Sequence, residues 1–231
     1  MFRFNPGKEQ KIFNDYNPYT IRGCGDCLGK IELAAQIPAN EMCRGCKVIR
    51  EMELDRKKRI TTNKAEYERL KIDPDYNNVE FNPANGGLMA THKDHNFDHQ
   101  KGWYEKNVQR VGFNKGNSVI FGSEAGQPDG VKYTDGLWNG KKAEIRGAET
   151  GKPENIRNAL KHGAKKRETE VAIIYFPKNN FDKDAFYSGL RAYEGLAGLP
   201  GRQYKAFERI ICIQGDDIVL DIKYESPTSS R

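Results

Sequence analysis

Long apolar runs are missing from this chain: no stretch of its 231 residues approaches the roughly 20 apolar residues that a membrane-spanning helix needs. Nor does the N-terminus show a charged-then-apolar leader, so the expectation is a soluble chain with no membrane partner, at work in a cytoplasm. Hydrophobic residues make up only 37% and the mean hydropathy is -0.82. Such a composition supports one modest core, or one core beside a small stapled module. Five cysteines are too few for a disulfide-held scaffold.

Charge is plentiful and leans basic, with 38 Lys+Arg against 32 Asp+Glu, a net +6. Excess positive charge favours encounter with polyanions, and phosphate contacts gain from counterion release. The basic residues gather in two runs, Arg56-Lys57-Lys58-Arg59 and the set Lys161, Lys165, Lys166 and Arg167. Runs of this kind are solvated faces in many proteins, so charge alone leaves a nucleic-acid partner and a bland surface both open.

Four of the cysteines fall as Cys24-Gly-Asp-Cys27 and Cys43-Arg-Gly-Cys46, with 15 residues between the pairs. That spacing fits a structural Zn2+ held by four thiolates, each pair on a tight turn that Gly23, Gly25 and Gly45 make easy. A disulfide inside either pair would close a very small loop and stabilise little. A redox CxxC and an iron–sulfur cluster are the competing readings, the second usually asking for other spacings. The fifth, Cys212, lies in the apolar run Ile210-Ile-Cys-Ile213 and reads as a buried strand residue.

Turn-forming residues divide the chain. Residues 1–22 carry Asn5-Pro6 and Asn17-Pro18 and read as an N-terminal arm; 23–50 is the zinc module. Residues 51–84 are a charged helical linker. Its helix is expected to break near Thr61-Thr62-Asn63 and to restart with Asn63 as N-cap, and 71–87 is expected to be loop. From 85 to 225 the pattern predicts one α/β domain with a mixed sheet flanked by helices, followed by a loose tail at 226–231. Its central order is a helix from Gly102, strands at Ser118–Phe121, Val131–Asp135 and Lys141–Arg146, a helix from Asn155, and a strand ending at Phe176. An Asn139-Gly140 turn joins the second and third strands.

Chemistry concentrates at that turn. Asp135 ends one strand, Glu144 lies in the next, and Arg146 is two residues further and so on the same face as Glu144. Converging carboxylates suit Mg2+ or Mn2+, and a nearby cation stabilises charge on a scissile phosphate. Glu105, on the preceding helix, is the candidate third carboxylate. A second copy of the pattern, Asp216…Asp221-Ile-Lys223, sits at the chain's end with no helix after it, and element order favours the first.

Asp135…Glu144-Ile-Arg146 within an α-β-β-β-α-β order resembles the PD-(D/E)XK nuclease superfamily. The resemblance implies Asp135 and Glu144 as metal ligands, Glu105 completing the site, and Arg146 where that superfamily uses a lysine. An arginine holds phosphate but is a poor proton shuttle, and Lys142, on the same face, is the candidate substitute. The stretches Gly86–Phe97, Gly140–Arg146 and Asn155–His162 also resemble nuclease toxin domains of contact-dependent inhibition proteins and some phage head proteins. That likeness covers about 85–178. It implies cleavage of RNA, often tRNA, an immunity protein as partner, and a chain that is phage-associated or carried in a phage particle.

Two rival functions remain. His92, His95 and His99 cluster within eight residues, as candidate contacts to substrate phosphate together with Lys161 and Lys165, as metal ligands on a loop, as acid and base groups, or as a plain polar loop. His92 or His95 with His162 would supply acid and base for a metal-independent ribonuclease, Arg146 holding the phosphate. The other rival is a non-catalytic nucleic-acid-binding or virion-associated protein on a nuclease scaffold.

Overall fold

The computed structural model describes residues 44–97, 102–125, 134–165, 168–197, 199 and 207–224, with side chains from Arg50 onward. The N-terminal arm, Cys24, Cys27, Cys43, the side chain of Cys46, His99 and the tail lie outside the described residues, and with them most of the zinc module; its last residues, 44–50, are helical, so Gly45 is in a helix rather than in the expected turn.

The described elements run α1 Arg44–Lys71, β1 Tyr76–Phe81, β2 Leu88–His92, α2 Gly102–Asn114, β3 Ser118–Phe121, β4 Gly136–Trp138 and β5 Lys141–Gly147. They continue α3 Pro153–Lys165, β6 Val171–Phe176, α4 Lys183–Ala197, β7 Arg209–Gln214 and β8 Asp217–Lys223. All eight strands form one mixed sheet in chain order, flanked by helices. The expected order from α2 to β6 is present. Two strands differ from expectation. β1 occupies residues expected to be loop, and the strand expected at Val131–Asp135 is β4, beginning at Gly136 (131–133 are not described).

Helix α1 is also continuous through Thr61-Thr62-Asn63 and across the boundary expected at 50–51. Asn63 does not cap a helix. It is buried, and its Nδ2 donates to the Gly86 carbonyl at 2.6 Å, tying α1 to the turn before β2. A buried amide that finds a backbone partner there outweighs its weak preference against helix interior. Among the described residues, no helix is long and apolar enough to cross a membrane.

Strand alternation divides the core. On β6, Val171, Ile173 and Tyr175 turn to one face, where Tyr104, Val108 and Val111 of α2 cover them. Ala172, Ile174 and Phe176 turn to the other, against Ile156, Leu160 and Ala164 of α3 and Phe186, Leu190 and Tyr193 of α4. A third cluster, Leu70 with Leu88, Ala90 and Ile120, fixes α1 over the β2–β3 end of the sheet. Asn139 and Gly140 both take positive φ (50° and 79°), the geometry a two-residue hairpin demands, which fixes the β4–β5 register.

Candidate functional site

Strand β5 carries the site because its two faces are filled differently. Ala143 and Ile145 enter the α2 core, which sends Glu144 and Arg146 to the opposite face, toward α3. There Glu144 is 1% exposed, and one Arg146 Nη2 lies 2.6 Å from Glu144 Oε1. The same nitrogen is 2.7 Å from His162 Nε2 on α3. Since a guanidinium only donates, His162 Nε2 accepts, which makes the ring neutral with its proton on Nδ1. Arg146 Nε is buried and makes no hydrogen bond.

Arg146 and His162 border an open cleft of about 280 Å³, lined also by Gly147, Asn155, Asn158 and Ala159. On α3 these positions are i, i+3, i+4 and i+7, one stripe of the helix. The adjoining stripe of Ile156, Leu160 and Ala164 is core. The helix is thus held by its apolar face while it offers two amides and an imidazole to the cleft. Asn155 and Asn158 were not singled out by sequence, although their spacing from His162 carries that signal.

The hairpin expectation holds in part. Gly136 pairs with Ala143, so Asp135 comes alongside Glu144, in the middle of the sheet rather than at its edge. Asp135 is buried, and its Oδ2 accepts the Ile145 N–H at 2.7 Å. The other expected members lie elsewhere. Glu105 is on α2, across the sheet from Glu144, and its Oε2 is 2.9 Å from His95 Nε2. Lys142 is exposed and pairs with Glu168. Lys161 and Lys165 are on α3 but do not line the cleft. In the second copy of the motif, Asp221 is held by Arg209 at 2.5 and 2.6 Å.

His95 and His92 are not in the cleft either. The His95 side chain is fully buried, stacks on Phe121 at 4.7 Å, and reaches the Gly122 carbonyl at 3.2 Å through Nδ1. Burial pushes its pKa down, but the Glu105 hydrogen bond and the charges of Glu105 and Glu124 outweigh that and leave it raised. His92 ends β2, edge-on to Tyr76. Hence the His92 or His95 with His162 pairing does not assemble, and His95 serves as a tie between the β2–α2 loop, α2 and the segment after β3.

A divalent cation asks for several oxygens converging on one point. Here Arg146 is ion-paired with one Glu144 oxygen, one Asp135 oxygen holds the Ile145 amide, and Glu105 is on the far face. Among the described residues no group of three or more His, Cys, Asp or Glu could hold a metal. The residues present at this site therefore fit Mg2+ or Mn2+ poorly.

No protein-family model matches the chain, and no curated protein does. Among solved structures it is similar to the CdiA-CT/CdiI toxin and immunity complex from Burkholderia pseudomallei. The identity is 19%, over 54% of this chain and 86% of that one, with a TM-score of 0.40. A likeness of that size carries no chemistry from one protein to the other.

Proposed function

We propose that this domain cleaves phosphodiester bonds in nucleic acid at the cleft between β5 and α3. The observation that supports the reading is the continuous chain Glu144–Arg146–His162, which ends in an open cleft. A buried carboxylate holds the guanidinium in place, the guanidinium offers a phosphate its remaining donors, and the imidazole stands ready to move a proton. Asn155 and Asn158 add neutral donors and acceptors along the cleft wall. Asp135 acts behind the site by fixing the β5 backbone at Ile145.

The sequence resemblance to nuclease toxin domains extends the proposal to a toxin with an immunity partner. The nuclease reading is tested by incubating the full chain with total tRNA and with plasmid DNA, beside Arg146→Gln and Glu144→Gln. Cutting by the wild type that both variants lose is the expected result. Cutting that both retain would move the site away from β5. Growth arrest on induced expression, absent in Arg146→Gln, is the expected sign of a toxin.

A further inference from the structure

We infer that Arg146 is the resident cation of this site, so that it works on RNA without a divalent ion, through the substrate's own 2′-hydroxyl. The inference rests on the nuclease reading and concerns how that site works.

In a metal nuclease, an ion between carboxylates neutralises the phosphate and makes the attacking hydroxide from water. Here the place beside the buried Glu144 carboxylate is already taken by a positive group, Arg146 Nη2 at 2.6 Å. A second cation at that carboxylate would face the guanidinium at close range. Among the described residues no third carboxylate joins Asp135 and Glu144, since Glu105 is across the sheet on His95. What the cleft does hold is the pair that an ion-free reaction needs, a fixed cation for the phosphate and a neutral imidazole with an accepting nitrogen.

Arg146 Nη2 makes two contacts, an ion pair with Glu144 Oε1 and a hydrogen bond to His162 Nε2. A phosphate oxygen entering the cleft competes with His162 for the second of these, and the exchange frees Nε2 at the moment the substrate is bound. Nε2 then takes the proton of the 2′-hydroxyl. The 2′-oxygen bonds to phosphorus, the bond from phosphorus to the 5′-oxygen breaks, and the leaving 5′-oxygen takes a proton from solvent water. The resulting hydroxide is neutralised by the proton on His162. The products are a 2′,3′-cyclic phosphate and a 5′-hydroxyl end. DNA, without a 2′-hydroxyl, is not a substrate.

The test uses the full chain, a mixed-sequence RNA and its DNA counterpart, each with Mg2+ and with EDTA, and examines the ends of the products. We expect RNA cutting in EDTA, cyclic phosphate and 5′-hydroxyl ends, intact DNA, and protection of the RNA by a 2′-deoxy residue at the mapped cut. His162→Gln should lower the rate about 10²- to 10⁴-fold, the usual range for one acid–base group. Its urea-unfolding midpoint serves to separate that loss from misfolding. Cutting that needs Mg2+, leaves 5′-phosphate ends or consumes DNA would overturn the inference while sparing the nuclease reading. No cutting of either polymer, with a folded wild-type chain, would overturn both.

Discussion

The Glu144–Arg146 pair is asymmetric, and the asymmetry predicts unequal costs for removing its two halves. Glu144 is 1% exposed, whereas the Arg146 side chain is 37% exposed. Breaking a buried ion pair from one side costs about 3–5 kcal/mol when the survivor stays out of water. Arg146→Gln leaves the buried carboxylate without its guanidinium, with His162 Nε2 still 3.9 Å away, so we expect a loss near the lower end, about 3 kcal/mol. Glu144→Gln leaves a guanidinium that water can partly reach, and screening reduces the expected loss to about 1–2 kcal/mol. The double variant removes both charges and should cost at least about 1 kcal/mol less than the sum. Urea unfolding of the four proteins, analysed by linear extrapolation, measures all three numbers. Catalysis should feel the loss of the anchor as well. In Glu144→Gln the guanidinium is present but loosened, and a misplacement of about 1 Å is worth roughly 10²-fold in rate. If Glu144→Gln cuts at the wild-type rate, or if the two single losses are equal and additive, Glu144 does not anchor Arg146 and the site has been assigned wrongly.

Three more outcomes follow from particular contacts. The raised pKa of His95 means its contribution to stability is complete below the ordinary value of 6.5 and is lost as pH rises through the folded value. Glu105→Gln should flatten that fall in denaturant titrations at stepped pH, and an unchanged profile would dissociate it from His95. Gly163→Ala in α3 should stabilise by about 0.5–1 kcal/mol, because its Cβ would meet Phe207 and Glu144 only at 3.4–3.5 Å. Gly112→Ala in α2 should instead destabilise by about 1–3 kcal/mol, since its Cβ would come within 2.8 Å of Trp138 and closer still to Val119; thermal melts give both signs. Finally, the two CxxC pairs predict one zinc per purified chain, lost in Cys27→Ser, as read by elemental analysis.

Where the sequence was legible, a short period carried the information. Alternation placed Glu144 and Arg146 on one face of β5, and Asn139-Gly140 set the hairpin that brings Asp135 alongside. The run Val171–Phe176 is apolar at every position because both of its faces are covered, one by α2 and the other by α3 and α4. Helix α1 and strand β1 were less legible because tertiary partners decide them. Asn63 and the Asn-rich stretch before β2 carry turn signals, and a buried amide bond to Gly86 and pairing with β2 override those signals.

The misplacement of Glu105 has a topological cause. Strands β2 and β3 are parallel neighbours joined through α2, and β5 and β6 are parallel neighbours joined through α3. Two antiparallel steps separate β3 from β5, so both crossovers start from strands pointing the same way and step in the same direction across the sheet. Crossovers of one hand would then put α2 and α3 on the same face, with Glu105 on the side that holds Glu144. They lie on opposite faces, so the two connections have opposite hands, and one departs from the right-handed rule that nearly all such units obey. No residue pattern in α2 announces this, because its apolar stripe packs equally well on either side of a sheet with two apolar faces. The consequence is chemical. The carboxylate expected from the sequence as a third ligand pairs with His95 across the sheet, and the charge at Glu144 is met by the arginine two residues along the same strand.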